Sequence, residues 1–232
     1  MNTQDRINEY WTGRAPSYDA YQQRPSRVEA DNAAWSAIWS GALPFARGDV
    51  LDVGTGSGHV ALTVAGLGHR VTGIDLSEGM LAEARRHAAA VDFPPAFQPG
   101  DAVQPPFPPA SFDAVVGRYV MWTLRSPVTA VQNWMRLLRP GGVVAVVDST
   151  WFPEGLDSAG ENFTGFYDAE VQAELPLAAA TSIDQTAAVL REAGLTEVTV
   201  TPLTTIYELD QRYGVAPGHH LRTQYLVTAR VS

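Results

Sequence analysis

The stretch Val50 to Leu62 (Val-Leu-Asp-Val-Gly-Thr-Gly-Ser-Gly-His-Val-Ala-Leu) constrains this chain more than any other. Val50, Leu51 and Val53 form the short apolar run of a buried parallel strand. Glycines follow at every second position, Gly54, Gly56 and Gly58, and then Val60, Ala61, Val64 and Ala65 at helical spacing. Strand, glycine turn and helix in this order let a backbone bend sharply and approach a ligand that a side chain would block. A dinucleotide site asks for Gly-x-Gly-x-x-Gly, with the pyrophosphate on the helix N-terminus. Here the spacing is Gly-x-Gly-x-Gly, and Asp52 stands two residues before the first glycine. A carboxylate repels a diphosphate and attracts an amine. The loop therefore suits a nucleoside ligand that carries positive charge, not phosphate, near the glycines.

This stretch resembles motif I of the class I S-adenosylmethionine (SAM)-dependent methyltransferases, Asp/Glu-x-Gly-x-Gly-x-Gly, in which the acid serves the methionine end of SAM, often through water. The resemblance implies a cofactor site at Asp52, Gly54, Thr55, Gly56 and Gly58. Four places downstream extend it. An apolar strand, Arg70 to Ile74, ends in Asp75, near the roughly 20-residue offset expected of a carboxylate that accepts ribose hydroxyls. Ser77 is a better N-cap than Asp75 for a helix over Glu78 to Ala90. "Ile-Asp-Leu-Ser-Glu-Gly-Met-Leu" matches the family here and implies Leu76 and Met80 on the adenine, although either residue suits a plain core. A strand at Ala96 to Gln98 leads to Gly100-Asp101-Ala102, where the family places a short polar side chain on the adenine amino group and the next backbone N–H on the ring. "Pro-Phe-x-x-x-Ser-Phe-Asp-Ala-Val-Val" resembles the family's fourth strand, Phe112 to Gly117. It implies Arg118 and Tyr119 in the SAM pocket and Trp122 either near the acceptor or in the core. A helix from Val128 to Leu138 and "Leu-Leu-Arg-Pro-Gly-Gly" precede the apolar strand Val143 to Val147, and Asp148 closes that strand as a candidate acid, base or orienting group.

Residues 1–45 have helical, aromatic character. Ile7, Tyr10 and Trp11 share a helical spacing, Gly13 interrupts it, and Ala15 to Tyr21 restarts it; Trp35, Ile38 and Trp39 share one face of a helix from about Arg27 to Gly41. "Tyr-Trp-x-x-x-Ala-x-x-Tyr-Asp" is similar to the N-terminal lid of small-molecule methyltransferases. The resemblance implies that Tyr18 closes over the methionine end and the acceptor, with Tyr10 and Trp11 beside it; Arg14 belongs to the same lid or is a solvated charge. Residues 149–180 break the strand–helix rhythm and carry Trp151, Phe152, Phe163, Phe166 and Tyr167. Such an insertion at the C-terminal edge of a sheet is expected to wall the acceptor site. Trp11, Trp122, Trp151 and Tyr167 are the candidate acceptor contacts, and Tyr18 and Asp148 the candidate catalytic pair. A helix from Ile183 to Ala193 precedes two strands, Thr196 to Thr201 and Gln224 to Val231, expected to form an antiparallel hairpin joined by a loop at Gly214 to His220. His219 or His220 is a surface histidine there, or a base.

The whole implies an α/β fold: a Rossmann-like, seven-stranded, mostly parallel sheet with helices on both faces, an antiparallel C-terminal hairpin and a helical lid, residues 1–232 forming one domain. The formal net charge of −9 and pI of about 4.9 argue against a nucleic-acid partner, which needs a Lys/Arg surplus. Without cysteine there is no thiol nucleophile or thiolate metal site, and the five histidines show no metal-ligand spacing, so no metal is expected. No leader and no apolar run of membrane-spanning length is apparent, so a soluble cytoplasmic protein, monomer or homodimer, is the expectation. The expected reaction moves the SAM methyl to an N, O or C nucleophile of a small planar or apolar acceptor and releases S-adenosylhomocysteine (SAH); the alternative is a SAM- or SAH-binding protein or accessory subunit without transferase activity, because binding and transfer use the same loop.

Overall fold

The apolar runs become a sheet through β1 (Asp49–Val53), β2 (Arg70–Asp75), β3 (Ala96–Pro99), β4 (Phe112–Arg118), β5 (Leu138–Asp148), β6 (Thr196–Pro202) and β7 (Tyr225–Arg230). The structure is a computed structural model that describes residues 2–156, 161–216 and 220–232. The strand order is β3-β2-β1-β4-β5-β7-β6. β1 to β5 pair in parallel, and β7 runs antiparallel between β5 and β6. The chain reverses direction across the sheet between β1 and β4, which opens a crevice at their C-terminal ends, where open α/β sheets bind ligands.

Successive residues of the central strands feed two opposite cores, as the period of a strand requires. Val144 and Val146 pack with Trp134 of α5 (Pro127–Leu137) and Leu190 of α8 (Asp184–Ala193). Val143, Ala145 and Val147 pack with Trp35 and Trp39 of α2 (Val28–Ala42), Val64 of α3 (His59–Gly66) and Ile206 of α9 (Thr204–Tyr213). Helix α9 corrects the expected hairpin: β6 and β7 do pair antiparallel, but a helix joins them. Its opening residues Thr204, Thr205, Ile206 and Tyr207 have strand-like propensity, which the burial of Ile206 and Asp210 at helical spacing against α2 overrides.

The N-terminal arm also differs from expectation. α1 (Thr3–Gln22) runs unbroken through Gly13 and Pro16. Asn2 and Asp5 form a reciprocal capping box at its start. Pro16 has no N–H to offer Thr12 one turn back. That turn instead packs on α4 (Glu78–Ala88): Thr12 Oγ1 and Ser77 Oγ lie 3.0 Å apart, and a Cβ on Gly79 would sit 2.7 Å from the Thr12 carbonyl oxygen. Further along, buried Asp19 accepts from Arg86 at 2.6 Å and lies 2.7 Å from His87 Nε2. Glu83 also converges on this point and pairs with Arg86. Tertiary contact therefore outweighs two helix-weakening residues. Residues 149–180 hold the short helices α6 (Glu161–Thr164) and α7 (Ala169–Ala173). Arg6 pairs with Asp168 and Thr3 Oγ1 donates to Glu174 at 2.9 Å, tying α1 to this insertion. Among the described residues no helix is long and apolar enough to cross a membrane.

Gly79→Ala tests the α1–α4 seam. Helix propensity alone favours alanine by up to about 1 kcal/mol, but the clash with the Thr12 backbone must displace α1. The expected result is a net loss of about 1–3 kcal/mol and faster hydrogen exchange across Thr3–Gln22. A stabilised variant with unchanged exchange would show that the seam yields freely.

Candidate active site

The glycine turn is held from below. Asp52 is fully buried, and its Oδ2 accepts from Thr55 Oγ1 at 2.6 Å and from the Ala61 N–H at 3.1 Å. Burial pushes this carboxyl up to about 7, against the lowering effect of those two bonds and of nearby Arg118. Asp75 accepts from the Gly56 N–H at 2.9 Å and the Ser77 N–H at 2.8 Å; burial raises it, and the backbone donors oppose the rise. Gly56 has φ +55°, and a Cβ there would meet only Met80 sulfur at 4.0 Å, so a side chain would project into open space. At Gly54, φ +63°, a Cβ would strike Val120 at 2.6 Å. One glycine is thus required by packing, and the other leaves a cradle.

That cradle opens into a cavity of about 580 Å³, within the range of small-ligand sites. Gly54, Gly56, Asp75, Leu76, Met80, Asp101 and Ala102 line it, as do Arg118 and Tyr119 from the end of β4. Leu76 is 36% exposed, an apolar surface for a flat ligand to cover. The loop after β3 is braced from α5: Trp134 Nε1 donates to the Ala102 carbonyl and Asn133 Nδ2 to that of Val103, each at 2.7 Å. Asp101 Oδ1 accepts from the Val103 N–H at 2.8 Å, which orients the carboxylate. Asp52, Thr55 and Gly58 do not line the cavity; they stand behind its wall and shape it.

The lid contributes Tyr10, Trp11 and Tyr18 to the lining, and the opposite side contributes Trp122, Trp151, Phe152 and Phe163. Trp122 is both core and lining, 6% exposed with its ring 5.5 Å from Phe152. Tyr167 has no face on the cavity: it is fully buried, stacked on Phe163 at 4.3 Å, and its hydroxyl accepts from Trp11 Nε1 at 3.0 Å. Asp148 is likewise behind the wall. Its Oδ1 accepts from the Ser149 N–H and from Trp151 Nε1, which turns the Trp151 ring edge-on to Tyr119 at 4.9 Å. Burial pushes its carboxyl up to about 7. Asp148 and Tyr167 thus reach the edge of the site, but their side chains turn away from the cavity and accept the indole N–H groups of Trp151 and Trp11, two half-buried rings that do line it.

The cavity is also lined by Arg27, Asp31, Asp210 and Gln224, which the sequence did not single out. Tyr119, at φ +63°, donates through its hydroxyl to Gln224, whose amide donates to Asp210 at 2.9 Å. Asp210 pairs with Arg27 at 2.6 Å, and Arg27 with Asp31 at 2.8 Å. The Arg27–Asp31 spacing of four was visible, but such pairs are ordinary on helices. Its partners come from α9 and β7, which no local pattern connects. His220 lines the cavity, while His219 lies outside the described residues.

A strand–glycine turn–helix at the switch point, with an acid at the end of the next strand and an aromatic chamber beside it, has the form of a nucleoside-binding site in an α/β fold. A family model described as a methyltransferase domain matches residues 51–146. The 27-O-demethylrifamycin SV methyltransferase of Amycolatopsis mediterranei is 32% identical over 82% of this chain and 70% of its own length. A demethylmenaquinone methyltransferase of Symbiobacterium thermophilum is 32% identical over 59% of this chain, which spans 56% of that protein. In fold, the chain is similar to the Haemonchus contortus phosphoethanolamine N-methyltransferase 2 solved with phosphomonomethylethanolamine and SAH, with a TM-score of 0.63. The two are 20% identical, and the likeness covers 91% of this chain and 58% of that one. The chain belongs to the SAM-dependent methyltransferases, and its cofactor is SAM.

Asp148 yields a pH prediction. A carboxyl whose folded value, about 7, lies above the usual one of 3.8 binds its proton more tightly in the fold. Its contribution to stability is complete below the unfolded value and is lost as pH rises through about 7. Asp148→Asn keeps an acceptor for Ser149 and Trp151 and removes the charge. It should stabilise the protein at pH 8 by on the order of 2–4 kcal/mol, a gain that shrinks toward zero near pH 4. Thermal melts at both pH values check this, and equal effects at both would contradict it.

Proposed function

We propose that the chain transfers the SAM methyl group to a planar or apolar small molecule held in the aromatic chamber, with residues 1–232 acting as one domain, residues 1–45 as its lid and 149–180 as the acceptor wall. One observation carries this reading: the Gly56 cradle and Asp75 open into the same cavity as Trp11, Trp122 and Trp151. Bound SAM supplies an electrophilic methyl on a sulfonium sulfur. The tasks left to the protein are positioning and exclusion of water, worth several kcal/mol together.

In this reading Asp75 keeps lone pairs beyond its two backbone bonds and takes the ribose hydroxyls. Leu76 and Met80 offer apolar surface to the adenine, and Asp101 and the Ala102 N–H meet its polar edge. Gly54 and Gly56 give the methionine arm its approach, and Asp52 and Thr55 support them from below. Tyr10 and Tyr18 close the site from α1, with Arg118 and Tyr119 on the far side. Trp11, Trp122 and Trp151 hold the acceptor, and Tyr167 sets Trp11 from behind. Tyr18 is the candidate that places a hydroxyl beside the reacting groups. Asp148 acts through Trp151, as a positioning residue. A base is needed only if the acceptor must lose a proton before attack. Relatives named for 27-O-demethylrifamycin SV and for demethylmenaquinone support a small-molecule acceptor. The acidic net charge supports one without phosphate-rich character, and a cytoplasmic monomer or homodimer without nucleic-acid partners accords with it.

Calorimetric titration with SAH, and with NADH as control, tests the assignment. SAH should bind in the micromolar range and NADH should not. Asp75→Ala should lose about 1–3 kcal/mol of SAH affinity. Unchanged affinity would remove Asp75 from the ribose.

A further inference from the structure

The wall of the aromatic chamber includes a cation, Arg222, that is poorly supplied with partners. Residues 220, 222 and 224 line the cavity while 221 and 223 do not, so the period of β7 continues past its start. Asp148 pairs with Tyr225 across β5 and β7. Beyond these strand ends the Ser149 hydroxyl donates to the Thr223 carbonyl at 2.7 Å and keeps the two chains together. Arg222 therefore comes level with Trp151, and its Nη2 reaches Glu154, two residues past Phe152, at 3.2 Å. Beside it, Gln224 accepts from Tyr119, whose ring meets Trp151 edge-on at 4.9 Å. A guanidinium thus stands at the edge of the chamber, next to the segment that carries Trp151 and Phe152.

The charge of Arg222 is weakly matched. Its side chain is 21% exposed, and its Nε is buried without a hydrogen-bond partner among the described residues. The one carboxylate that pairs with it among those residues, Glu154, is 69% exposed. Such a pair contributes little and exchanges readily. The acids that line the cavity are committed elsewhere. Asp31 and Asp210 both pair with Arg27, Asp75 accepts from the Gly56 and Ser77 N–H groups, and Asp101 accepts from that of Val103. A planar fork with donors to spare, set beside aromatic walls, suits an oxyanion on a flat ligand. We propose that Arg222 receives an anionic oxygen of the acceptor and makes the enzyme select planar acceptors with a carboxylate, or an equally acidic hydroxyl, over their neutral counterparts. This rests on methyl transfer to a molecule held in the aromatic chamber. Glu154 then competes with the acceptor for the same cation.

Two matched probes test this, 2-naphthol and 3-hydroxy-2-naphthoate, which share a ring system and a hydroxyl and differ by a carboxylate. Each is titrated calorimetrically at neutral pH into the SAH-loaded wild type, Arg222→Met and Glu154→Gln, and SAH is titrated into each free protein. The wild type should bind the naphthoate about tenfold or more tightly than the naphthol. Arg222→Met should abolish that preference and hold naphthol within about twofold of the wild type. Glu154→Gln should tighten the naphthoate by about two- to fivefold, because the competing carboxylate is gone. A wild type that binds the two probes equally, or the naphthol better, overturns the proposal and leaves the methyl-transfer reading intact. Arg222→Met that weakens both probes alike, or SAH as well, overturns it too and makes Arg222 a brace for the chamber wall. If Arg222→Met does not fold, Glu154→Gln decides alone, and unchanged or weaker naphthoate binding overturns the proposal. A SAH-loaded wild type that binds neither probe overturns both the proposal and the aromatic-acceptor reading.

Discussion

The buried carboxylate of Asp52 is the constraint on which the site depends. It stands near the end of the strand with neighbours on both sides, at the point where the sheet changes winding direction. From there it holds the Thr55 hydroxyl and the Ala61 N–H, spanning the glycine turn from one end to the other. The turn is stitched to β2 as well, by the Thr55 N–H on the Ile74 carbonyl at 2.9 Å and by the Gly56 N–H on Asp75. A loop of glycines has little conformational preference of its own. Side-chain oxygens from two strands supply it, and the burial that this requires raises the pKa of Asp52 to about 7.

The lid follows the same logic on a larger scale. α1 has two residues that weaken helices and little amphipathic character, so it cannot be stable as an isolated segment. It is held along one side by α4 and along the other by the aromatic cluster of Trp122, Phe163 and Tyr167. The Asp19 contacts with Arg86 and His87 are partly exposed on the basic side, so they add specificity of docking more than energy. On the α4 side the attachment is made of polar contacts and one close backbone approach, whereas Ile7, Tyr10 and Trp11 make an apolar seam with the insertion, so the lid and the insertion pack as one unit above the sheet.

Strand runs such as Val143 to Val147 and the glycine turn were legible because their patterns are local: an apolar run or a spacing of two carries the information within a few residues. So were Gly56, Asp75, Leu76, Asp101 and Arg118, whose places at strand ends bring them to the crevice by topology alone. Asp148 and Tyr167 were not, because position along a strand or insertion fixes which end of the sheet a residue reaches and leaves open which way its side chain turns. There the deciding partners were the indole N–H groups of Trp151 and Trp11, close neighbour in one case and 156 residues distant in the other. The Arg27–Asp31–Asp210–Gln224–Tyr119 chain was illegible for a stronger reason. It joins α2, α9 and the ends of β7 and β4, and every member but Tyr119 looks like an ordinary surface polar residue until the fold buries it.

Compensated and uncompensated groups divide the work of such a cavity. Arg27, with Asp31 and Asp210 around it, has its donors engaged and gains little from any ligand; its contribution is to hold α2 and α9 in fixed relation to Tyr119. Asp52 is similarly spent on the loop. Precision comes from groups of this kind, since their geometry is set before a ligand arrives and costs nothing to reorganise. Affinity has to come from groups left short of partners. Leu76 exposes apolar surface, Asp75 retains lone pairs, and Arg118 lacks an anion. Leu76 and Asp75 stand together at the end of β2, and Arg118 ends β4 on the other side of β1. A ligand that is flat and apolar at one end and hydroxylated beside it meets the first two deficits together.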